Sequence, residues 1–336
     1  MFTTYTEVMR AVVNDRYGPS EGLRLAEVPR PVVGDDGVLV RVSAASINPF
    51  DWHLMRGSPL IVRLLTGVRR PGEPFLGVDV AGTVEAVGAS VREFRPGDDV
   101  LGSCSATFAE YVAASEQSFV LKPPSMSFEQ AGALPGAGVT ALLAVRDHAL
   151  ITPGERVLVN GASGGVGTFV VQIAKAFGAH VTGVCSAGNS ELVRSLGADE
   201  VIDYATEDFT RSGRRYDVVV DNVGNRSLLR LARALEPNGR LVAVAGGEGG
   251  WLLGGLRRKL RVRLLNPLVG PTLSGLRAHL TKENMLALTE LVAAGKVTPF
   301  VDRTYPLEEV ADAIRYVETR HARGKVVLVV ASRSAP

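Results

Sequence analysis

Along the first third of the chain, hydrophobic and polar positions alternate in short runs. β-Branched stretches such as residues 38–44 (VLVRVSA) and 80–88 (VAGTVEAVG) are closed by turn residues, among them Val33-Gly34-Asp35-Asp36-Gly37 and Arg95-Pro96-Gly97-Asp98-Asp99. Runs this short, stopped by Gly, Pro and Asp, predict a compact β-rich unit with a twisted, barrel-like sheet. From about Pro153 the rhythm changes. An apolar run at 157–159 leads into a helical pattern over 165–177, and strand patterns recur at 180–185, 200–202, 217–221 and 240–245 with helical stretches between them. Strand and helix in alternation need right-handed crossovers, which predicts a doubly wound parallel sheet. Helical periodicity returns at 282–294 and 307–319, and the last strand pattern, 325–330, suits closing back on the first unit rather than extending the sheet.

Size and charge narrow the picture. A chain of 336 residues exceeds one ordinary core and suits two domains sharing a cleft. Lys and Arg number 37 against 35 Asp and Glu, so no nucleic-acid partner is expected. The two cysteines, Cys104 and Cys185, form no spaced pair for zinc or a disulfide scaffold, and MFTTYTEVMR carries no apolar leader. Both point to a reducing cytoplasm. The longest uncharged run, 130–145, is too short to span a bilayer and is broken by Gly132, Pro135, Gly136 and Gly138, which suits a buried helix boundary.

The strongest chemical signal is VLVNGASGGVG. A buried strand runs into Gly161-Ala162-Ser163-Gly164-Gly165-Val166-Gly167 and then into a helix. One glycine allows the tight turn, one lets backbone approach a pyrophosphate, and Gly167 lets the helix pack on the strand while its first N–H groups face the anion. Ser163, Gly164, Gly165, Val166 and Gly167 are therefore the expected cofactor contacts. The same residues also fit G-x-S-x-G, a nucleophile elbow in which Ser163 attacks an ester. Asp203 or Asp221 followed by His279 or His321 supply the chain order of acid and base. That reading leaves Gly167 without a purpose and lacks a glycine-rich oxyanion segment upstream. A tight turn with no ligand is the third alternative.

About twenty residues past such a turn, a site for NAD carries Asp or Glu for the ribose 2′-hydroxyl. Here the strand ends in Val184-Cys185-Ser186-Ala187-Gly188-Asn189, with no carboxylate to repel a 2′-phosphate. Ser186, Asn189 and the Tyr204 phenol are the candidates to hold it, which favours NADPH, with NADH as the alternative. No Lys or Arg in 185–190 pairs with the phosphate, and Ser186 also reads as a plain helix cap.

With SINPFDWHLMRG (46–57), FLGVDVAGTVEAVG (75–88), FAEYV (108–112), KPPSMSFEQAGALP (122–135), LGADEVIDY (196–204) and HARGKVVLVV (321–330), the chain from about Met9 to Val330 resembles the medium-chain dehydrogenase/reductase superfamily, in its zinc-free quinone oxidoreductase branch. The resemblance implies an α/β fold: a β-rich, GroES-like catalytic domain of residues 1–135 and 279–336, and a Rossmann domain of residues 136–278. At the places where the superfamily's zinc enzymes hold catalytic metal stand Asn48, Val78-Asp79 and Gly136 or Ala137, so no metal is expected. Without a Lewis acid, the fitting acceptors are those in which hydride creates a delocalised anion, namely quinones and α,β-unsaturated carbonyls. The same matching puts Asn48 beside the nicotinamide ribose, Thr140 beside the nicotinamide ring, and the cofactor against the backbone of Gly246 and Gly247. Asp51 and Arg56 complete the N-P-x-D-x-x-x-R-G pattern, and they read as a buried ion pair that holds the loop or, alternatively, as catalytic groups. Trp52 and His53 would wall a flat acceptor, with His53 as the donor of the final proton. Related chains carry a basic residue at the place of Gly188 and a larger apolar one at the place of Gly136. A homodimer is expected. The segment 251–280, with leucines among Arg257, Arg258, Lys259, Arg261 and Arg263, reads as a lid, a dimer contact, a peripheral membrane patch, or ordinary helix packing with solvated arginines. A non-catalytic NADP(H)-binding sensor or scaffold is the competing class.

Overall fold

A computed structural model describes residues 7–244, 256–266, 269–276 and 278–330. The fold is α/β and has two principal sheets. One is built from six parallel strands: β1 (Arg156–Asn160), β2 (His180–Cys185), β3 (Glu200–Asp203), β4 (Tyr216–Asp221), β5 (Leu235–Ala243) and β6 (Thr272–Gly275). Their spatial order is β3-β2-β1-β4-β5-β6. The order reverses between β1 and β4, and in open α/β sheets such a switch point opens a ligand crevice beyond the carboxyl ends of the strands. Val157, Leu158 and Val159 in β1 and Val218, Val219 and Val220 in β4 are fully buried. Cover on both faces explains why these strands read as unbroken apolar runs rather than as alternation. β5 begins earlier than its pattern suggested, because pairing of Leu235 with Tyr216 precedes a register shift. β6, unseen in the sequence pattern, pairs with β5 from Thr272 to Gly275.

The second sheet joins Gly37–Ile47, Asp79–Val87, Asp99–Ser103 and Phe119–Leu121 to two strands from the carboxyl-terminal part, Val301–Pro306 and Lys325–Val329, while Tyr111–Ser115 pairs beside Gly37–Ile47. Lys325–Val329 runs antiparallel to Gly37–Ile47 with Val326 opposite Ile47. The end of the chain thus returns to the first sheet. Between the sheets, the uncharged run folds as two abutting helices, Phe128–Ala133 and Pro135–Leu143, that share Leu134. Pro135 has no N–H to give to the first helix and is preorganised to start the second. Ala131, Ala133, Leu134, Val139, Ala141, Ala144 and Val145 are fully buried, so the run is a packed interior element. Among the described residues, no helix is long and apolar enough to cross a membrane.

Within 251–280, the described helix Leu256–Leu265 exposes Arg261 and Arg263, as expected of solvated arginines, whereas Arg258 turns inward. Val262 is buried against the β4–β5 side of the sheet, and the Arg258 guanidinium pairs with the fully buried Asp221 carboxylate at the end of β4. Arg258 also donates to the carbonyls of Gly224 and Arg226, each at 3.2 Å. Leu260, Arg261, Arg263 and Leu264 are exposed. Removing one partner of a buried pair leaves an uncompensated charge, so Arg258→Ala is expected to lower the unfolding free energy by about 3–5 kcal/mol. In the same denaturant titrations the exposed Arg261→Ala should change it by less than about 0.5 kcal/mol. Equal effects would contradict the anchoring of this helix by Asp221.

Candidate active site

At the end of β1 the chain turns sharply. Gly161 has φ +78°, a left-handed conformation that side chains rarely adopt. The N–H groups of Gly161 and Ala162 both donate to the Val184 carbonyl, at 3.1 and 3.0 Å, which ties the turn to β2. Gly167 is required for a different reason: a Cβ there would lie 2.0 Å from the Gly161 carbonyl oxygen and 2.9 Å from the Ala162 Cα. Helix Gly165–Ala176 starts from Gly164, and Thr168 is the first residue to donate back, to the Gly164 carbonyl at 3.0 Å. The Gly165 N–H pairs with the Gly324 carbonyl in a parallel bridge, while those of Val166 and Gly167 have no acceptor within the helix and form a seat for an anion. A helix start with free N–H groups behind so tight a turn fits a dinucleotide pyrophosphate.

Ser163 does not take the strained geometry of a nucleophile elbow. The non-glycine residues with positive φ among those described are Ala106, Leu150 and Arg320. Its hydroxyl accepts from Asn189 Nδ2 at 3.2 Å, and its carbonyl accepts from Gly324 N at 2.8 Å. Asp221, an acid the esterase reading needs, is committed to Asn160, at 2.8 Å, and to Arg258. These contacts speak against Ser163 as a nucleophile and against Asp221 as its acid.

Ser186 and Asn189 follow β2 and Tyr204 follows β3, and Tyr204 N donates to the Cys185 carbonyl at 3.1 Å. Ser186 begins the 3₁₀ turn Ala187–Asn189, yet its side chain makes no capping bond. The Tyr204 ring is half exposed, and nothing stands within 4 Å of where a Gly188 Cβ would be. Gly246 and Gly247 lie outside the described residues.

On the other side of the crevice is a buried polar cluster. Asn48 precedes the helix Pro49–Arg56, and its backbone N–H donates to Asp51 Oδ2 at 2.7 Å. Asn48 Nδ2 donates to Asp79 Oδ2 at 2.9 Å, and Asn48 Oδ1 accepts from Lys325 Nζ at 2.6 Å. Asp79 also accepts from the Ser46 hydroxyl and from Gly136 N, both at 2.9 Å. A Cβ on Gly136 would come within 2.8 Å of Asp79 Oδ1, so this carboxylate is what keeps position 136 small. Thr140 Oγ1 donates to the Gly136 carbonyl at 2.6 Å, which places Thr140 one helical turn along from the cluster. The residues do not fit zinc. Asn48, Val78, Gly136 and Ala137 are poor ligands, both Asp79 oxygens are occupied, and among the described residues no three His, Cys, Asp or Glu side chains gather.

Asp51 and Arg56 are not an ion pair. Arg56 forms a bidentate pair with Glu318, and Asp51 spends its buried carboxyl on the Asn48 N–H. Burial pushes the Asp51 carboxyl up to about 7; the Asn48 N–H opposes the shift and Asp79 adds to it. His53 stacks on Trp52 with ring centroids 3.7 Å apart, and its Nδ1 lies 2.6 Å from the Ser58 carbonyl. Trp52 itself packs against the core of the second sheet.

Comparison with known proteins decides the family. Residues 34–125 match the alcohol dehydrogenase GroES-like domain, and residues 196–328 match the zinc-binding dehydrogenase model. The chloroplastic quinone-oxidoreductase QR1 of Triphysaria versicolor is 35% identical over 338 residues, covering 96% of this chain and 98% of that protein. The chain belongs to the medium-chain dehydrogenase/reductase superfamily, in its quinone oxidoreductase-like branch. It is an oxidoreductase. A chloroplastic NADPH-dependent alkenal/one oxidoreductase of Arabidopsis thaliana is 33% identical, with 95% of this chain and 79% of that protein aligned. The quinone oxidoreductase structure from Coxiella burnetii superposes with a TM-score of 0.86 at 31% identity, covering 97% of this chain and all of that one. The stretch 196–328 that matches the zinc-binding model excludes positions 48, 78, 79, 136 and 137.

Two members of the polar cluster carried no role in the sequence reading of this dehydrogenase/reductase: Lys325 and Ser46. The signal for Lys325 was present as a lone charge heading the apolar run KVVLV, for which a buried partner is the natural explanation.

Gly167→Ala is expected to cost about 2–4 kcal/mol of stability, because the methyl group collides with backbone that cannot swing away; an unfolding midpoint equal to that of the parent would contradict the packing described. Asp51 supplies a pH test. Its native carboxyl keeps a proton up to about 7 while the unfolded group, near 3.8, has released it. The contribution is therefore present below about pH 4 and lost as pH rises toward 7. Asp51→Asn should gain stability relative to the parent between pH 4 and pH 7, by at most about 4 kcal/mol. Denaturant titrations at the two pH values check this, and parallel pH profiles would refute it.

Proposed function

We propose that this chain is an NADPH-dependent reductase that delivers hydride to a quinone or an α,β-unsaturated carbonyl without a metal. The observation that carries the reading is Asp79. At the place where zinc enzymes of the superfamily hold metal, its carboxylate is saturated by Ser46, Asn48 and Gly136, with Lys325 Nζ 3.6 Å away. A carboxylate bound in this way leaves no open position for a Lewis acid, which suits acceptors that delocalise the incoming charge. The names of QR1 and of the alkenal/one oxidoreductase support the same two acceptor classes.

In this reading the N–H groups of Val166 and Gly167 hold the pyrophosphate, with Ser163, Gly164 and Gly165 shaping the turn. Ser186, Asn189 and Tyr204 receive the 2′-phosphate, around a strand end that has no carboxylate to repel it. Asn48 lies beside the nicotinamide ribose and Thr140 beside the ring. The bound dinucleotide supplies hydride; the protein supplies orientation and exclusion of water. His53 is poorly suited to give the final proton. The Ser58 carbonyl only accepts, so Nδ1 carries the hydrogen. Burial pushes the ring's pKa down, and Arg320 adds to the shift against the Ser58 bond and Glu318. The neutral ring then presents a bare Nε2 lone pair, and the proton comes from solvent.

Incubation with NADPH or NADH and a panel of quinones and alkenals, followed by the absorbance of the reduced nicotinamide, tests this directly. Turnover is expected, with NADPH preferred over NADH by at least about tenfold in kcat/KM, the equivalent of 1.4 kcal/mol. A preference for NADH would remove the 2′-phosphate assignment. Binding without oxidation of any acceptor would make the protein a sensor.

A further inference from the structure

We propose that Lys325 is a positioning residue for hydride transfer: its buried ammonium locks the Asn48 amide and places a fixed positive charge beside it, where zinc enzymes of the superfamily use a metal. The proposal rests on the reading above, in which Asn48 adjoins the nicotinamide ribose.

Lys325 joins the two halves of the site. Gly324 N bonds to the Ser163 carbonyl of the glycine turn at 2.8 Å, and a Cβ on Gly165 would meet Lys325 Cδ at 3.4 Å. The stem therefore passes over the first residue of the phosphate-binding helix before its tip reaches the catalytic loop. There Nζ meets Asn48 Oδ1 at 2.6 Å, the Ile47 carbonyl at 3.3 Å and Asp79 Oδ2 at 3.6 Å. An ammonium has three hydrogens to donate, and here three oxygens face it. The residue is 3% exposed, so these oxygens replace water almost completely.

A lysine retained only to neutralise Asp79 would make its closest contact with that carboxylate. Here the closest contact is the amide oxygen, and Asp79 already accepts from Ser46, Asn48 and Gly136. The arrangement fixes which way the amide points. Turned over, Asn48 would set its NH₂ against the ammonium and its oxygen against the carboxylate, two repulsive contacts in a low dielectric. As held, Oδ1 keeps one lone pair for a ribose hydroxyl. Hydride arriving at a quinone or enone adds negative charge to the acceptor, and a preorganised cation in a water-poor cleft opposes that charge without reorganising.

Two variants of the full chain separate these roles. Lys325→Met keeps the apolar stem and removes the charge; Lys325→Gln keeps a donor for Asn48. Each is to be assayed for folding by circular dichroism, for NADPH affinity and the emission maximum of bound NADPH by fluorescence, and for kcat on a quinone. For Lys325→Met, kcat should fall about 10- to 100-fold with NADPH affinity within about threefold of the parent, as expected for a group that acts on the transition state. Emission of the bound nicotinamide should shift as the charge beside it is lost, and Lys325→Gln should recover part of kcat. The proposal is overturned if kcat stays within about threefold in both variants, or if affinity falls in proportion to kcat, which marks a strut and nothing more. Should Lys325→Met fail to fold, Lys325→Gln carries the same comparison. If the parent binds NADPH yet reduces no acceptor, the reductase reading fails by itself, and an unshifted emission maximum then rejects the placement of Lys325. If the parent binds no NADPH, both fall.

Discussion

A buried ammonium must be surrounded by oxygen, and meeting that need at Lys325 holds the site together. The oxygens come from Ile47, Asn48 and Asp79, and Asp79 is in turn bound by Ser46 and by Gly136 at the head of a buried helix. Leaving such a charge without one of its partners is costly, because desolvation is no longer offset. Four segments remote in sequence, around residues 47, 79, 136 and 325, are thereby held to one arrangement. The register that delivers them is antiparallel pairing of Lys325–Val329 with Gly37–Ile47, which sets Lys325 next to the entry of the Asn48 loop. One residue earlier, Gly324 has φ +67°, and a Cβ there would lie 2.3 Å from the Phe300 carbonyl oxygen. The chain reaches the glycine turn and the catalytic loop in two consecutive residues only because the first has no side chain.

What the sequence made legible follows from how far each signal reaches. The glycine turn was readable because its constraints are local: a left-handed Gly161, and a Gly167 pressed on the carbonyl six residues earlier. β1, β2 and β4 were readable because burial on both faces leaves unbroken apolar runs. β6 was not, since a four-residue strand at the sheet edge, Thr272–Gly275, has little pattern to show. The ion pairs were illegible for a different reason. Arg258 reaches Asp221, and Arg56 reaches Glu318 across 262 residues, whereas Asp51, five residues away from Arg56 in the chain, serves the backbone of its own helix. Spacing within a motif marks nearness along the chain, but charges pair by nearness in space.

The cluster also changes the meaning of a small residue. Related chains carry a larger apolar residue at the place of Gly136; in this structure it is the residue that lets a helix amino end donate to Asp79 at 2.9 Å, with no room for a Cβ. Its size follows from the carboxylate beside it. A buried Asp79 left by itself would be a liability. Lys325 answers that liability: it sets its amine 3.6 Å from Asp79 Oδ2, one residue after Gly324 bonds to the glycine turn. The glycine turn and the Asn48–Asp79 cluster are therefore joined through two consecutive residues, Gly324 and Lys325.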